Sequence, residues 1–311
     1  MIHAPLDVLK AFPVRKTGKQ KQAFRDAVQS YVSGLGYEIR VEKGSLGSRN
    51  LVIGDADKAK YLVTAHYDTP AGMLIPNLIT PCNPLTFILY QLFVVALFFL
   101  AAFVVALVVM LLTNDELLTF WAAYIAYFGM LFLMMMGPAN RNNANDNTSG
   151  VAAVLETARS LPEEMRGDVC FVLFDLEEAG LVGSSSYRKI HKKATEKQIV
   201  LNMDCVGDGD EIVFFPTGKM KKDPVRRQWL RRVCAQLDSK RIWVRERGFS
   251  YYPSDQKNFP LGVGIAALHR SKWAGLYLAR IHTKHDTVLE EENLNILRDC
   301  LIKLMAETAA E

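Results

Sequence analysis

Charged side chains are missing from two long stretches of this 311-residue sequence. None occurs between Thr69 and Asn114, and none occurs between Leu117 and Asn140. Each stretch contains at least the ~20 predominantly apolar residues needed to cross the hydrocarbon core of a bilayer. Their presence excludes a fully water-soluble protein. Because there are only two of them, they also exclude a polytopic transporter.

The two uncharged stretches predict an integral membrane protein with two transmembrane helices, at about 84–113 and 117–137. Only a few residues separate these helices, so they should form a tight hairpin (84–137) whose two ends emerge on the same side. The turn between them carries two acids, and all 37 basic residues lie elsewhere. Since basic residues tend to stay on the cytoplasmic side of a membrane, we expect the remaining, globular part to be cytoplasmic.

The sequence also lacks a secretory signal and a disulfide framework. Its first residues contain no continuous apolar core of the length that a signal peptide needs. The five cysteines are an odd number without CxxC spacing, which is typical of buried thiols in a reducing compartment. The formal net charge is only +4 and no nucleic-acid-binding motif is present, so we expect no nucleic-acid partner.

Strand-like and helix-like segments alternate on both sides of the hairpin. Strands are predicted at 37–42, 50–53, 61–65, 168–174, 199–203, 212–215, 264–268 and 275–281. Helices are predicted at 18–33, 183–192, 224–237, 291–307 and, capped by Thr148 and Ser149, up to Leu161. This alternation predicts an α/β fold with a mostly parallel central sheet covered by helices. Neither flank is complete alone, so we predict one discontinuous domain (1–83 and 138–311) into which the hairpin is inserted.

Potential metal ligands lie at the ends of predicted strands or just before a helix. They are His66, Asp68, Asp146, Glu177, Glu178, Asp204 and His282. In open α/β sheets this carboxyl edge carries the functional sites. Two imidazoles and several carboxylates form a ligand set suited to Zn²⁺, Mn²⁺ or Co²⁺. Each fragment alone has an ordinary structural explanation, but so many such fragments seldom coincide by chance.

Six fragments carry a resemblance to a known family: HYD, NDNTSG, LEEAGLVGSSSY, NMDCVG, SYYPSD and IHTKHDT. Together they resemble metallopeptidase family 28 of clan MH, the co-catalytic di-zinc aminopeptidases. The resemblance extends from about His66 to the C-terminus, apart from the hairpin. It implies the zinc-aminopeptidase (phosphorylase/hydrolase-like) fold and two bound Zn²⁺ ions, with Co²⁺ or Mn²⁺ as substitutes.

The resemblance assigns the five metal ligands to two ions. His66 and Asp204 would bind one metal ion, and Glu178 and His282 would bind the other. Asp146 would bridge both, since one carboxylate can offer an oxygen to each ion.

The same resemblance implies three further roles. Glu177 would be the general base, and Asp68 would orient His66 through its second ring nitrogen. Tyr251 matches the tyrosine that stabilises the oxyanion, with Tyr252 as the adjacent alternative.

Two features depart from the family pattern. His66 and Asp146 are 80 residues apart, whereas the family has a short loop there. The hairpin accounts for most of the excess. In addition, His285 places a second imidazole beside His282 and is the alternative ligand if the register shifts.

We therefore predict a membrane-anchored di-zinc metallo-exopeptidase, in the first place an aminopeptidase that removes N-terminal residues through a metal-bridged water. The alternatives are a carboxypeptidase, a peptide-cyclising relative or a non-catalytic membrane scaffold of the same fold. The expected partners are a peptide substrate and the lipid bilayer. The hairpin joins two ligand-bearing segments, so it either presents the site to apolar or membrane-associated peptides or serves only as an anchor.

Two groups of basic residues have further interpretations. The run Lys219–Arg232 holds seven basic residues and one acid. It is either a solvated helix face or a surface that rests on anionic lipid. The second group lies near His282 in the sequence, and any of its members could meet a substrate carboxylate: Arg270, Lys272, Arg280 and Lys284.

Overall fold

A mixed β-sheet with helices on both faces organises the computed structural model, which describes residues 2–73, 75–237 and 241–307. The strands are β1 (Ile39–Lys43), β2 (Arg49–Ile53), β3 (Tyr61–His66), β4 (Val169–Phe174), β5 (Ile199–Met203), β6 (Glu211–Pro216), β7 (Arg241–Val244), β8 (Gly262–Ser271) and β9 (Gly275–Tyr277). The helices are α1 (Asp7–Ala11), α2 (Gly18–Gly34), α3 (Pro84–Thr113), α4 (Glu116–Met136), α5 (Gly150–Ser160), α6 (Val182–Ile190), α7 (Lys192–Thr195), α8 (Gly218–Lys222), α9 (Pro224–Ala235) and α10 (Glu291–Ala306).

The described strands follow the order β1-β2-β4-β3-β5-β8-β6-β7, and β9 pairs with β8. The four central strands β4, β3, β5 and β8 are parallel to one another. Antiparallel pairs flank them at β1–β2, β2–β4, β6–β8 and β8–β9. The predicted α/β class is therefore confirmed, and parallel pairs form the centre of the sheet and its β6–β7 edge. The short turns after β1 and β8 allow only antiparallel neighbours, because parallel strands need a long crossover.

Both faces of the central strands are buried. Val63 and Leu201 belong to the layer that packs under α2, α5, α9 and α10. Their chain neighbours Leu62 and Val200 belong to the layer on the other face, which includes Tyr187 of α6. Since successive side chains of a strand point to opposite faces, a strand covered on both sides is apolar throughout. This explains why the sequence of these strands is a continuous apolar run.

Helices α3 and α4 form a hairpin whose apolar side chains are exposed. Both helices are long and apolar enough to cross a membrane, judged by length and composition. Within the described residues, α3 buries only Val94 and Ala102, and α4 buries none. At the tip, Asn114 adopts the left-handed conformation that ends α3, and the Asp115 carboxylate accepts from the Leu118 amide to begin α4.

The base of this hairpin adjoins the carboxyl end of β3. The Gly72 amide donates to Pro138 O at 2.8 Å, and the Asn140 amide donates to Pro70 O at 2.9 Å. These two bonds bring the ends of the insertion together a few residues beyond His66. Strands β1–β3 precede the insertion and β4–β9 follow it, and all of them join one sheet.

The basic run Lys219–Arg232 begins at the opposite edge of the sheet. Pro216, which ends β6, pairs with Val263 near the start of β8. Arg226 lines a cleft together with Tyr61, the first residue of β3. The helical hairpin leaves from the other end of β3, so this position favours a solvated helix face over the alternative of a surface that rests on anionic lipid.

Three local predictions need correction. Helix α5 begins at Gly150 without a side-chain cap, since the Ser149 hydroxyl donates to Asn145 O and the Thr148 hydroxyl to Asn143 Oδ1. The predicted strand 275–281 ends at Tyr277, and its remainder leads into the turn at His282. Helix α1 and strand β7 were not predicted, because they are only five and four residues long and too short for a periodic signal. Positions 1, 74, 238–240 and 308–311 of the predicted domain lie outside the described residues.

Candidate metal centre

The five carboxylates and two histidines predicted from the sequence lie together at the carboxyl edge of the sheet. They are His66, Asp68, Asp146, Glu177, Glu178, Asp204 and His282. Parallel pairing explains this, because β3, β4 and β5 end side by side with their following residues at one edge. His66 is the last residue of β3, and the loops after these strands carry four more of the seven residues.

Asp146 lies between two groups of candidate ligands. Its Oδ1 is 3.3 Å from His66 Nε2, which is 3.7 Å from Asp204 Oδ1. Its Oδ2 is 3.1 Å from His282 Nε2, which is 3.7 Å from Glu178 Oε2. Within each group of three, one ligand atom per residue lies within 4.8 Å of the others. The arrangement therefore offers two adjacent sites that share one carboxylate.

The donor set fits divalent metal ions. Asp146 Oδ1 is buried and has no hydrogen-bond partner among the described residues. A buried oxygen of this kind is costly unless a donor or a cation satisfies it. Five carboxylates against two imidazoles also leave an excess of negative charge in a buried place. Imidazole nitrogens and carboxylate oxygens are ligands that Zn²⁺ accepts.

The pKa values of the histidines reflect this excess. Burial alone would lower the pKa of His66, but the carboxylates around it, Glu177 first, raise it well above its usual value. Burial opposes the same effect at His282, where Glu178 and Asp146 raise the pKa to about 9. Metal ions bind the deprotonated forms of such groups, so metal binding here would be coupled to proton release.

The two glutamates show the opposite effect of burial. Burial raises the pKa of Glu178 to about 8, and the negative charge of Asp146 adds to the shift. Burial likewise raises the pKa of Glu177 well above its usual value, only partly opposed by His66. A carboxylate with a raised pKa is a stronger base than one in water.

Asp68 connects His66 to the turn that carries the two glutamates. Its Oδ1 lies 3.5 Å from His66 Nδ1. The same carboxylate accepts from the backbone amides of Glu177 at 3.0 Å and Glu178 at 3.2 Å. Although burial opposes it, His66 lowers the pKa of Asp68, which keeps the carboxylate ionised. This position is consistent with the predicted orienting role.

Asp286 positions Asp146 and was not predicted. Its two oxygens accept from the backbone amides of Asn145 at 2.7 Å and Asp146 at 3.0 Å. Burial raises the pKa of Asp286 to about 7, and the charge of Asp146 acts in the same direction. Asp286 belongs to the fragment IHTKHDT, which also contains His282. This position beside a candidate ligand was the only sequence feature that could have indicated its role.

Two asparagines tie the loop of Asp146 to the loop of Asp204. Asn145 Oδ1 accepts from the Gly207 amide at 2.7 Å. Asn147 Oδ1 accepts from the Cys205 amide at 3.2 Å. These bonds account for the asparagines on either side of the central acid in NDNTSG.

Arg15 is a fully buried cation beside the same loops, and sequence reasoning missed it. It donates to Tyr67 O at 2.5 Å and Thr148 Oγ1 at 3.1 Å, and its backbone amide donates to Thr69 Oγ1 at 2.8 Å. Burial lowers the pKa of Arg15 to about 10, and the acids Asp68 and Asp146 oppose this shift. No motif marks this residue, because it is close to the site only in space.

The structure distinguishes the two candidate tyrosines. Tyr252 lines the pocket, and its hydroxyl donates to Asp204 O at 2.9 Å. Tyr251 is 39% exposed and packs against Phe87 of α3, with ring centroids 5.5 Å apart. Tyr251 thus lies outside the pocket wall, and the adjacent alternative occupies it.

The alternative ligand and the four basic candidates do not line the described pocket. His285 is exposed. Arg270 pairs with Glu211, and Arg280 lies 3.2 Å from Asp208 Oδ2. Both guanidinium groups are therefore held by acids of the protein itself.

The sequence pattern of Peptidase family M28 matches residues 131–305, which is more than half of the chain. No curated protein matches the sequence. Among solved structures, the fold is similar to Porphyromonas gingivalis glutaminyl cyclase, with a TM-score of 0.60, 17% identity and coverage of 95% of this chain and 93% of that chain.

The fold is also similar to Legionella pneumophila LapA aminopeptidase, with a TM-score of 0.59, 15% identity and coverage of 99% of this chain and 70% of that chain. At these identities the structural likenesses establish the fold alone, and they confirm the predicted one. The matched family and the carboxylate–histidine cluster together indicate a zinc-dependent, peptidase-like hydrolase. The resemblance inferred from the six fragments is thus confirmed: this chain belongs to Peptidase family M28.

Proposed function

We propose that this protein is a membrane-anchored aminopeptidase with two zinc ions. The observation that carries the proposal is the position of Asp146, whose two oxygens lie 3.3 Å from His66 Nε2 and 3.1 Å from His282 Nε2. His66 and Asp204 would hold one ion, Glu178 and His282 the other, and Asp146 both. When bound, two such ions would polarise the scissile carbonyl as Lewis acids.

Glu177 is the residue best placed to move a proton. It lines the pocket without belonging to either group around Asp146. Its backbone amide is held by Asp68 at 3.0 Å, so its position in the turn is constrained. Because burial raises its pKa, its carboxylate can take a proton from the attacking water and return it to the leaving amine.

The charges of the pocket favour the amino end of a peptide over its carboxyl end. Five carboxylates outnumber the four positive charges of two divalent ions, so the site keeps a negative charge that suits a substrate ammonium group. The basic side chains that could meet a carboxylate, Arg270, Lys272, Arg280 and Lys284, do not line the described pocket. These two facts support an aminopeptidase over a carboxypeptidase.

Cyclisation of an N-terminal glutamine is the second candidate. The similarity to Porphyromonas gingivalis glutaminyl cyclase covers 93% of that chain, against 70% for LapA aminopeptidase. Both reactions act at the amino end of a peptide. They differ in the product, since cyclisation releases ammonia and adds no water.

The exposed apolar surfaces of α3 and α4 support membrane anchoring. The base of the hairpin adjoins the edge that carries the metal ligands, so a spanning hairpin would hold the pocket near the bilayer surface. The acidic tip, without Lys or Arg, supports a cytoplasmic catalytic domain.

The test is metal content together with activity of the full-length protein in detergent. About two zinc ions per chain, with chelator-sensitive release of N-terminal residues from aminoacyl fluorogenic substrates, would support the proposal. Loss of ammonia from a glutaminyl peptide, followed by mass spectrometry, would favour cyclisation. Release of C-terminal residues would contradict both. A protein that takes up no metal from added zinc would be a scaffold.

A further inference from the structure

A segment just before helix α3 forms part of the pocket wall. Asn77 and Ile79 line the same pocket as His66 and His282. They belong to the chain between β3 and the apolar hairpin, where the sequence departs from the family pattern. The segment that leads into the hairpin therefore contributes directly to the site.

Backbone hydrogen bonds hold this segment against the chain that carries His282. The Ile79 amide donates to Leu278 O at 3.0 Å, and the Leu278 amide donates to Ile79 O at 2.9 Å. Closer to β3, the Met73 amide donates to His282 O at 2.6 Å. The segment thus extends β9 by one antiparallel bridge and has a defined position beside the metal ligands.

The same segment is connected to the first turns of α3. The Tyr90 hydroxyl donates to Pro76 O, and the Tyr251 amide donates to Pro81 O at 2.8 Å. The ring of Tyr251 packs against Phe87 of α3. The wall and the start of the apolar helix are therefore one connected unit.

The pocket-lining residues other than the candidate ligands and Glu177 are mainly apolar. They are Ile79, Cys205, Tyr252, Pro253 and Ile281, with the amide of Asn77 as a polar group. Ile281 belongs to a buried cluster against which Ile79 packs, which supports their positions. The cavity of about 190 Å³ has room for a single side chain of modest size.

We propose that Asn77 and Ile79 select the N-terminal residue of the substrate. Ile79 forms the apolar surface against which a small or medium aliphatic side chain packs, and the Asn77 amide hydrogen-bonds the substrate main chain. The favoured substrates are peptides that begin with residues such as alanine, valine or leucine. This inference rests on the proposed aminopeptidase function.

Leu78 provides a matched control. In an extended segment successive side chains point to opposite sides. Leu78 lies between Asn77 and Ile79 and does not line the described pocket. Ile79→Ala and Leu78→Ala remove similar apolar volume from adjacent positions, but only the first should alter substrate choice.

The experiment measures kcat and KM for leucyl, alanyl and lysyl fluorogenic substrates with the full-length, zinc-loaded protein in detergent. Ile79→Ala should lower kcat/KM for the leucyl substrate about ten-fold, with a much smaller change for the alanyl substrate. Ile79→Phe should reverse the preference towards alanyl. Asn77→Ala should raise KM and leave kcat nearly unchanged, since it removes a contact made equally in the ground state.

Zinc content and the thermal unfolding midpoint of each variant serve as checks on folding. If Ile79→Ala does not fold, Ile79→Val should shift the leucyl-to-alanyl ratio in the same direction by about two- to five-fold. An unchanged ratio in both variants, or an equal change in Leu78→Ala, would overturn the assignment.

A binding measurement separates this inference from the proposed function. Calorimetry would compare leucine hydroxamate with glycine hydroxamate on the zinc-loaded protein. We expect tighter binding of the leucine compound, and loss of that difference in Ile79→Ala. If the protein shows this difference in binding but releases no N-terminal residue, the proposed aminopeptidase activity is wrong. The assignment of Asn77 and Ile79 to substrate selection is then still supported. Equal binding of both compounds by the unaltered protein would overturn the wall assignment.

Discussion

The helical hairpin and the sheet domain differ in where they place apolar and ionisable side chains. In the hairpin, apolar side chains such as Phe99 and Phe103 are about 60% exposed, and no charged side chain lies between Pro84 and Asn114. In the domain, apolar side chains fill two buried layers and the ionisable groups of the site are buried with them. The hairpin therefore depends on an apolar surrounding, whereas the site depends on partners for its charges.

Introducing charged side chains into the hairpin should abolish its membrane insertion, which is the largest effect that we expect. Phe99 and Phe103 lie near the middle of α3. Changing both to Lys should cost about 6 kcal/mol of membrane insertion, because each lysine at a helix centre costs ~3 kcal/mol. The double variant should leave the membrane pellet on alkaline carbonate washing. A Phe99→Leu, Phe103→Leu control should remain, and retention of the lysine variant would contradict a spanning hairpin.

Removing the proposed base would break the site and leave the hairpin intact. Glu177→Gln keeps the size and the backbone contact to Asp68 but removes the proton acceptor. We expect zinc content and membrane retention to be unchanged, while kcat falls about 10²- to 10⁴-fold. Metal analysis and steady-state kinetics on the same sample provide the measurement. Full activity would exclude Glu177 as the general base.

Arg15 allows the stability of the domain to be tested separately from the hairpin, because it connects the chain on both sides of the insertion. Its guanidinium donates to Tyr67 O before the hairpin and to Thr148 Oγ1 after it. Arg15→Met leaves buried acceptors without their donor and should lower the free energy of unfolding by about 2–4 kcal/mol. Its neighbour Lys16, which is only partly buried, is the control: Lys16→Met should change stability by less than about 0.5 kcal/mol. Equal urea midpoints for the two variants would contradict the connecting role.

The smallest expected effect concerns a histidine of the domain outside the pocket. His269 hydrogen-bonds Asp208 and Asp210, which raises its pKa from 6.5 to about 9. A raised pKa in the folded state stabilises the protein fully below pH 6.5 and loses that contribution as the pH rises through about 9.

The measurement is the thermal unfolding midpoint at several pH values for the unaltered protein and for His269→Gln. Between neutral pH and about pH 10 the unaltered protein should lose about 2 °C more than the variant. The hairpin contains no titrating basic group, so its membrane retention should stay constant over this range. Parallel pH curves for the two proteins would show that the pair contributes nothing.

Several parts of the fold follow from sequence pattern because their causes are local. The boundaries of α3 match the predicted 84–113. A long uncharged apolar run is typical of a membrane-spanning helix, and its first and last residues can be read directly from the sequence. Strand β5 matches 199–203 because it is a short, fully buried run. The extent of β9 was overestimated, since apolar residues also fill the turn that leads to His282.

The candidate ligands could be selected from the sequence because of their residue types and the motif fragments that contain them, and the structure brings them together. The pairing of the oxygens of Asp146 with His66 and His282 depends on how three chain segments meet. Tyr251 and Tyr252 are equivalent in sequence, and only packing against α3 places one outside the wall. Asp286 acts on Asp146 through backbone amides, which no side-chain pattern predicts.

Taken alone, the sequence determined the two apolar helices, the alternation of strands and helices, the ligand types and the family. These depend on composition and on residues close together in the chain. Only the tertiary structure decided that Arg15 lies behind the site and that Asn77 and Ile79, just before the hairpin, line its pocket. Such contacts join residues tens to more than a hundred positions apart, and they arise because parallel strands bring their carboxyl ends to one edge.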